Sequence, residues 1–187
     1  MRKLILVAHI SLDGYVAGPN GELNDFPSGE ENLRFVCNLT GDADTALLGR
    51  ITYELLNSYW PTAKNLADAT QGQVAYSNWF NKAHKIVVSK TMTNENLENT
   101  GIIGNNLPDE ITKIKKQAGK NILIFGSPSI SQLLSQQDLI DRYWIFVNPV
   151  VFGRGIPLFG ETNKMKLQLL ETKQFTNGET AFHYSRQ

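Results

Sequence analysis

Short apolar runs alternate with helix-like segments along this chain. The run from Leu4 to Ile10 is typical of a strand that is buried on both of its faces. Further runs of this kind predict strands, and the segments between them carry apolar residues at helical spacing. The strands are predicted at 4–10, 46–48, 85–89, 101–104, 121–125 and 143–152. The helices are predicted from Ser28, where Ser28 and Glu31 fit a capping box, and over 51–59, 74–82, 108–116 and 127–135.

The C-terminal part of the chain predicts a β-hairpin. Leu167 and Leu169 alternate with polar residues, Asn177-Gly178 supplies a turn, and the returning strand follows from Ala181. Strand–helix alternation followed by a hairpin predicts an α/β protein with three α/β/α layers. Its central sheet should be mostly parallel, with antiparallel C-terminal strands. Because no repeat or linker interrupts the pattern, residues 1–187 are expected to form a single domain.

Composition narrows the possible partners. The 18 basic and 18 acidic residues balance, so the chain has no net field to attract a phosphate backbone, and nucleic acid is not an expected partner. The apolar runs are too short to span a bilayer, so no membrane partner is expected. Cys37 is the single cysteine, which excludes an intrachain disulfide and a cysteine-based zinc site. We expect no bound metal and a reducing cytoplasmic location.

Three predicted strand ends carry residues suited to binding phosphate. In an open α/β sheet, ligands collect beyond the carboxyl ends of the strands. At the first end, Gly49 allows close approach, Arg50 can bind a phosphate through its guanidinium, and Thr52 adds a hydroxyl. At the second, Ser89 and Lys90 supply a hydroxyl and an ammonium group. An ordinary strand-to-helix turn and a polar loop are the alternative interpretations of these two segments.

The third strand end is Gly126-Ser127-Pro128-Ser129-Ile130. Its glycine permits a tight turn, and its proline suits the first position of a helix. The N–H groups of the first helical turn could then hold a diphosphate, although a plain capped helix would have the same sequence. Taken together, the three segments indicate a nucleotide with a diphosphate and a further phosphate at one edge of the sheet.

Five ordered motifs make the chain similar to a known family. It resembles the reductase domain of the riboflavin-biosynthesis deaminase/reductase enzymes, within the dihydrofolate-reductase-like superfamily. The resemblance covers nearly the whole chain. Its motifs are ISLDGYVA at 10–17, LGRITYE at 48–54, IVVSK at 86–90, FGSPS at 125–129 and NPVVFGRGIPLF at 148–159.

The resemblance implies an NADPH-dependent reductase with a small-molecule heterocyclic substrate. Arg50, Ser89 and Lys90 would hold the 2′-phosphate of the cofactor, and Thr52 would join the turn at 126–130 around its diphosphate. Gly49 belongs to the same cofactor-binding motif. The residues expected around the nicotinamide are Ala8, Val16, Ala17, Asn20 and Gly21.

The chain also departs from its relatives in informative ways. A zinc deaminase domain carries a His-x-Glu and a Pro-Cys-x-x-Cys motif, and this chain has neither. True dihydrofolate reductases have Leu-Pro-Trp after the first loop, whereas this chain has Leu-Asn-Asp-Phe at 23–26. The substrate is therefore expected to be pterin-, pyrimidine- or flavin-precursor-like, without a stronger choice among them.

Two carboxylates are candidates for the catalytic role. In folate reductases a carboxylate on the first helix orients the substrate, and the equivalent here is Glu31, with Asp25 in the preceding loop as its rival. The alternatives are a capping role for Glu31 and a solvated carboxylate at Asp25. Asp13 is more typical of a turn, and His9, near the expected nicotinamide, is interpreted as structural.

Tyr53, Trp60 and Asn148 are the candidates for the wall of the substrate pocket, although aromatic residues serve cores as often as pockets. Uncertainty about the proton-handling residue leaves one alternative function, a binding protein that keeps the fold without turnover. A homodimer is expected, because the long predicted strand at 143–152 and the terminal hairpin could offer an apolar surface.

Overall fold

The computed structural model describes residues 1–23, 25–27, 29–93, 97–161 and 163–187. Its main sheet has eight strands in the order β5-β4-β3-β6-β1-β7-β10-β9, and β2 pairs with β8 in a small second sheet. All neighbours in the main sheet are parallel except β10, which is antiparallel to both β7 and β9. The strands are β1 Leu4–Ser11, β2 Tyr15–Ala17, β3 Ala43–Gly49, β4 His84–Val88, β5 Thr100–Ile103, β6 Asn121–Phe125, β7 Arg142–Asn148, β8 Ile156–Pro157, β9 Leu167–Gln174 and β10 Thr180–Arg186.

Helices cover both faces of the main sheet, which confirms the predicted three layers. α1, α2 and α3 pack on one face, and α4 and α5 pack on the other. The helices are α1 Glu30–Gly41, α2 Arg50–Ala63, α3 Gln71–Lys82, α4 Leu107–Lys116 and α5 Pro128–Gln136. The architecture is thus the mostly parallel α/β/α fold with antiparallel C-terminal strands that the sequence predicts.

The first strand shows how the alternation of side chains supplies both layers. Leu4 and Leu6 pack toward α4 and α5, whereas Ile5 and Val7 pack toward α1, α2 and α3. All four side chains are buried, which explains why this strand has no polar face in the sequence.

Several element boundaries differ from the predicted ones. α2 continues through Pro61 to Ala63. Proline has no N–H, so the helix loses one hydrogen bond there, and it ends two residues later. α3 begins earlier than predicted, since Thr70 and Gln73 form a capping box at its start. The capping box predicted for α1 involves Ser28, which lies outside the described residues.

The strand predicted at 143–152 ends early, at Asn148. Pro149 follows and has no N–H to continue the ladder. The N–H groups of Phe152 and Gly153 instead donate to the Asp13 carboxylate, at 3.1 and 2.8 Å. Ser11 also donates to Asp13, and these hydrogen bonds, the Ser11 hydroxyl first among them, hold the pKa of this carboxyl below its usual value. Asp13 therefore fastens the loop after β1 to the segment before β8.

The small β2–β8 sheet was missed from the sequence because its strands have three and two residues. It folds the chain back beside β1. Within the described residues, no helix is long and apolar enough to cross a membrane.

Candidate active site

The carboxyl ends of four neighbouring strands bring the predicted binding segments side by side. Gly49 at the end of β3 is paired with Val88 at the end of β4, so Arg50 and Ser89 are the next residues on adjacent strands. On the other side of β3 lies β6, which leads into the turn at 126–127, and β1 follows β6. Neighbouring strands lie about 4.8 Å apart, so these segments form one continuous edge.

Ser127 joins two of these segments. Its Oγ accepts a hydrogen bond from the N–H of Gly49 at 2.9 Å and donates to Oγ1 of Thr52 at 3.0 Å. The backbone of Gly126 and Ser127 is left-handed, with φ of +53° and +49°, and this conformation aims the chain into α5. Neither α2 nor α5 has a side-chain hydrogen bond capping its first turn. Two helix N-termini that favour anions therefore converge at one point of the edge.

The space at Gly49 is narrow. A Cβ on this residue would lie 3.4 Å from both Cδ1 of Ile130 and Oγ of Ser127. Glycine at this position keeps the backbone open to a ligand that approaches between β3 and α5. Pro128 occupies the first turn of α5, and Ser129 beside it is exposed.

The predicted cations lie at the β3–β4 end of the edge. Arg50 Nη1 contacts both carboxylate oxygens of Glu54, at 3.0 and 3.1 Å, and both side chains are about half exposed. Such an exposed pair contributes little to stability, so a phosphate can replace Glu54 as the partner of Arg50 at small cost. Lys90 is exposed, and the Ser89 hydroxyl accepts from the N–H groups of Thr91 and Met92.

An open stretch of strand edge lies at His9. In a parallel sheet the N–H and C=O of one residue point to the same neighbouring strand, and those of the next residue point to the strand on the other side. The C=O of Val7 accepts from the N–H of Gly126 at 3.1 Å, at the point where β6 ends. The backbone N–H and C=O of His9 face the same side, and no residue of β6 lies opposite them. An amide group of a ligand could pair with the main chain there.

The residues predicted around the nicotinamide differ in their exposure to solvent. The side chains of Ala8, Val16 and Ala17 are buried, so only their backbone could meet a ligand. Asn20 and Gly21 are exposed in the following loop. Both the N–H and the side-chain amide of Asn20 donate to Glu22, and the side-chain bond is the main cause that lowers the pKa of that carboxyl.

A buried carboxylate supports His9 on the α1 face of the sheet. The Glu179 side chain is fully buried, and its Oε1 lies 2.6 Å from Nδ1 of His9. The His9 ring is stacked on Phe146 with 4.5 Å between centroids, and 38% of its side chain is exposed. The second carboxylate oxygen of Glu179 accepts from Nδ2 of Asn32. The Glu179 carboxylate and the Phe146 ring therefore fix the orientation of the His9 side chain at this open edge.

The two predicted catalytic carboxylates do not lie at this position. Glu31 points outward and accepts from the N–H and Oγ1 of Thr176, at 3.0 and 2.9 Å, with Lys173 at 3.3 Å. The Thr176 N–H, then its hydroxyl, lower the pKa of Glu31. The buried stripe of α1 instead consists of Asn32, Val36 and Thr40. Glu31 precedes Asn32 by one residue, so its side chain lies about 100° around the helix from the stripe, and its catalytic role stays a prediction.

Asp25 is exposed in the loop before α1. Its neighbour Phe26 is stacked on Phe152 at 5.2 Å, which places this loop over the segment that precedes β8. The structure therefore does not bring Asp25 together with His9 and Glu179 in the described hydrogen-bond network.

The substrate candidates are not gathered into one pocket. Trp60 lies ten residues along α2 from Arg50, about 15 Å from the carboxyl edge, and packs against Tyr76. Asn148 is fully buried, and its Nδ2 donates to the C=O groups of Ile10 and Phe146 at 3.1 and 3.2 Å. Tyr53 belongs to α2, and its side chain is buried in the core. Asn148 therefore serves the strand ends, and Trp60 serves the helix packing.

The sequence contained two signals for the residues that were missed. Asn32 is a polar residue at i, i+4 spacing with the buried Val36, and Glu179 is in phase with the buried Ala181 of β10. A polar or charged residue on an otherwise apolar face needs a partner, and the partners here are each other and His9. The described residues contain no cluster of three or more His, Cys, Asp or Glu side chains suited to a metal. Cys37 is half-buried, and burial raises the pKa of its thiol.

The chain belongs to the RibD C-terminal domain family, whose profile matches residues 2–180. Two proteins of Bacillus subtilis (strain 168) are similar over nearly their whole length. The uncharacterized protein YyaP is 30% identical over 190 residues, covering 98% of this chain and 96% of YyaP. The uncharacterized protein YwjB is 31% identical over 188 residues, covering 99% and 98%.

Solved structures confirm the dihydrofolate-reductase-like fold. A protein from Shewanella sp. PV-4, provisionally assigned to riboflavin biosynthesis, superimposes with a TM-score of 0.74 at 24% identity, covering 100% of this chain and 99% of that one. The Thermotoga maritima deaminase and 5-amino-6-(5-phosphoribosylamino)uracil reductase gives 0.68 at 15%, covering 100% and 57%. Dihydrofolate reductase from Enterococcus faecalis, complexed with NADP(H), gives 0.65 at 16%, covering 98% and 96%.

Proposed function

We propose that this protein is an NADPH-dependent reductase that transfers a hydride to a C=N or C=O bond of a small heterocyclic compound. The observation that carries the proposal is the junction at Ser127, where two helix N-termini without side-chain caps meet beside Gly49. A diphosphate at that junction would leave one end of a dinucleotide near Arg50 and Lys90. The other end would reach the open backbone of His9.

The order of groups along the edge matches an extended dinucleotide. Arg50 and Lys90 at the β3–β4 end suit the 2′-phosphate, and this pair is the physical reason to propose NADPH rather than NADH. The N–H and C=O of His9 suit an amide such as the nicotinamide carboxamide. When bound, the cofactor supplies the hydride, and the chain holds both reactants and excludes water.

Replacing Arg50 by Ala is expected to weaken NADPH binding about 10- to 100-fold, because a charge-assisted hydrogen bond contributes about 1.5–3 kcal/mol. NADH lacks the 2′-phosphate, so its affinity should hardly change. Calorimetric titration of both proteins with both dinucleotides measures the effect.

Lys116→Ala is the matched control, since Lys116 is an exposed cation at the last residue of α4. Its affinities should equal those of the unchanged protein. The cofactor assignment is wrong if neither dinucleotide binds, or if Arg50→Ala weakens NADPH and NADH equally.

The family and the aromatic side chains beside His9 support the proposed substrate class. The ring of His9 and the aromatic side chains beneath it suit a flat heterocycle. Compounds to test by loss of nicotinamide absorbance include 5-amino-6-(5-phosphoribosylamino)uracil, its dephosphorylated form and dihydropterins. Tight NADPH binding with no turnover on any of them would favour the alternative, a dinucleotide-binding protein without catalysis.

We also propose that the protein is a cytoplasmic homodimer. β9 is an edge strand, and its Leu169 and Leu170 are 50% and 44% exposed. An edge strand with exposed apolar side chains is a surface that a second copy can cover. Sedimentation at micromolar concentration is expected to show twice the 20.9 kDa mass of one chain. A single species of 20.9 kDa would contradict the dimer.

A further inference from the structure

A reductase of this kind needs a proton as well as a hydride. When a hydride reaches a C=N or C=O carbon, the bonding pair moves onto the nitrogen or oxygen, and that atom must be protonated. Glu31 is engaged with Thr176 and Lys173, and Asp25 is exposed in the loop before α1. Neither carboxylate is part of the network at the open edge of β1.

We propose that His9 is the proton donor, and that Glu179, Asn32 and Asn177 are positioning residues that determine which nitrogen of its ring carries the proton. The inference rests on the proposed function, because a donor at this edge has a role only if the hydride arrives there. It assigns the catalytic role to a histidine that the sequence alone suggested to be structural.

The position of His9 is the first observation that supports this proposal. The backbone of His9 faces the open edge above β6, which is where the proposed nicotinamide lies. The ring of the same residue lies on the α1 face, over Phe146 and partly exposed. One residue thus contributes its main chain to the cofactor side and its side chain to the substrate side.

The hydrogen bonds below the ring have a defined direction. The N–H of Glu179 can only donate, and it donates to Oδ1 of Asn177 at 3.1 Å. Asn177 therefore presents its NH₂ group to Oδ1 of Asn32, at 3.0 Å. Asn32 in turn presents its NH₂ group to Oε2 of Glu179. The chain of bonds starts and ends on Glu179, and each amide can fit it in only one orientation.

This closed set of hydrogen bonds uses Oε2 of Glu179, so Oε1 is the oxygen that binds His9. An ionised carboxylate can only accept, so Nδ1 of His9 must carry a hydrogen and donate it to Oε1 at 2.6 Å. Nε2 is then the nitrogen that gains or loses a proton, and within the described residues it has no hydrogen-bond partner.

The resulting step is balanced. The electrophilic carbon accepts the hydride of NADPH, its π pair moves onto the attached nitrogen or oxygen, and that atom takes the proton from Nε2 of the His9 imidazolium. NADP⁺, a new C–H bond and a new N–H or O–H bond result. Neutral His9 keeps its Nδ1 hydrogen on Glu179 and recovers the Nε2 proton from water.

The charged groups around His9 are few among the described residues. Glu179, the residue before β10, is the charged group in contact with the ring, whereas Glu31 of α1 is paired with Lys173 of β9. β7 contributes the ring of Phe146, which does not titrate. With Nδ1 committed to Glu179, the proton that reaches the substrate comes from Nε2, which lies on the partly exposed side of the ring.

A tautomer measurement on the whole chain tests the relay without any substrate. The protein is labelled with ¹⁵N-histidine, and two-bond ¹H–¹⁵N correlations are recorded at alkaline pH; the other histidines are His84 and His183, and His9→Gln identifies the His9 signals. The unchanged protein is expected to show His9 with hydrogen on Nδ1. In Glu179→Gln the carbonyl oxygen must accept from Asn32, so the new NH₂ group faces Nδ1 and the hydrogen moves to Nε2.

Kinetics test the donor itself. With 5-amino-6-(5-phosphoribosylamino)uracil and its dephosphorylated form as probes, His9→Gln should lower kcat about 100-fold while the Kd for NADPH stays unchanged. Glu179→Gln should lower kcat less, because the ring stays stacked on Phe146 but loses the carboxylate that fixes its hydrogen on Nδ1. His84→Gln, at an exposed histidine, is the matched control.

The outcomes separate this inference from the proposed function. Hydrogen on Nε2 in the unchanged protein overturns the relay, and this result needs no variant to fold. Unchanged turnover in His9→Gln overturns the donor role. Failure of NADPH to bind any of these proteins contradicts the reductase proposal instead, and it leaves the tautomer result standing.

Discussion

Replacing Phe146 by Ala is expected to lower the free energy of unfolding by about 3–5 kcal/mol, the usual cost of emptying a fully buried phenylalanine site. Phe146 is completely buried on β7. It is stacked between His9 at 4.5 Å and Phe175 at 6.1 Å, and Phe35 meets it edge-on. The remaining side chains cannot fill its volume, because their backbones are fixed: His9 by the ladders of β1, Phe35 by α1 and Phe175 by the hydrogen bond of its N–H to Glu179. Urea unfolding at neutral pH measures the loss.

Phe152→Ala is the control for this prediction. Phe152 is only half-buried and contacts Phe26 in the loop, so its removal should cost much less. Phe146→Leu should lie between the two. The same series also tests the site, because the ring of Phe146 supports His9 from below. If Phe146→Ala and Phe152→Ala destabilise the protein equally, the central position of Phe146 in the core is wrong.

Replacing Gly155 by Ala is expected to destabilise the protein by about 3 kcal/mol, at the upper end of the usual cost of overpacking. A Cβ at this position would lie 2.3 Å from the carbonyl oxygen of Ala17 and 3.1 Å from the side chain of Tyr15. The first contact is with backbone, which no rotamer change can relieve. β2 would therefore separate from β8, and the Val16–Ala17 backbone beside β1 would move. NADPH affinity should fall at least tenfold.

Gly41→Ala provides the comparison, because a Cβ there meets no atom within 4 Å and the residue ends α1 with an ordinary φ. That substitution should leave both stability and binding nearly unchanged. Thermal unfolding of the two variants compares their stability, and NADPH titration compares their affinity. Equal behaviour of Gly155→Ala and Gly41→Ala would show that the contact between Gly155 and Ala17 is not tight.

The strands and helices of the main sheet could be predicted because their periodicity comes directly from burial. Leu4 to Ile10 is apolar throughout since both faces of β1 are covered. The α/β/α layering and the antiparallel hairpin follow from such patterns. The β2–β8 pair could not be predicted, since two or three residues carry no period, and its register depends on Asp13 and Gly155.

The candidate site divides in the same way. The positions of Gly49, Arg50 and Gly126 at strand ends could be predicted because a glycine directly after an apolar run marks a strand end in sequence, whereas their binding roles stay predictions. His9 and Glu179 are 170 residues apart, and only the sheet order brings them together. Helical phase places Asn32 on the buried face of α1 and Glu31 beside it, and the phase of a helix cannot be fixed from sequence when its start is uncertain by a residue.

The insertion of β10 between β7 and β9 has a consequence for synthesis of the protein. Residues 49–130, which form the proposed phosphate-binding part, leave the ribosome well before residue 179. Glu179 reaches His9 only when the last described strand has taken its place in the sheet. A nascent chain would therefore gain its dinucleotide-binding groups before the groups that carry protons, so that reactivity is the last property to appear.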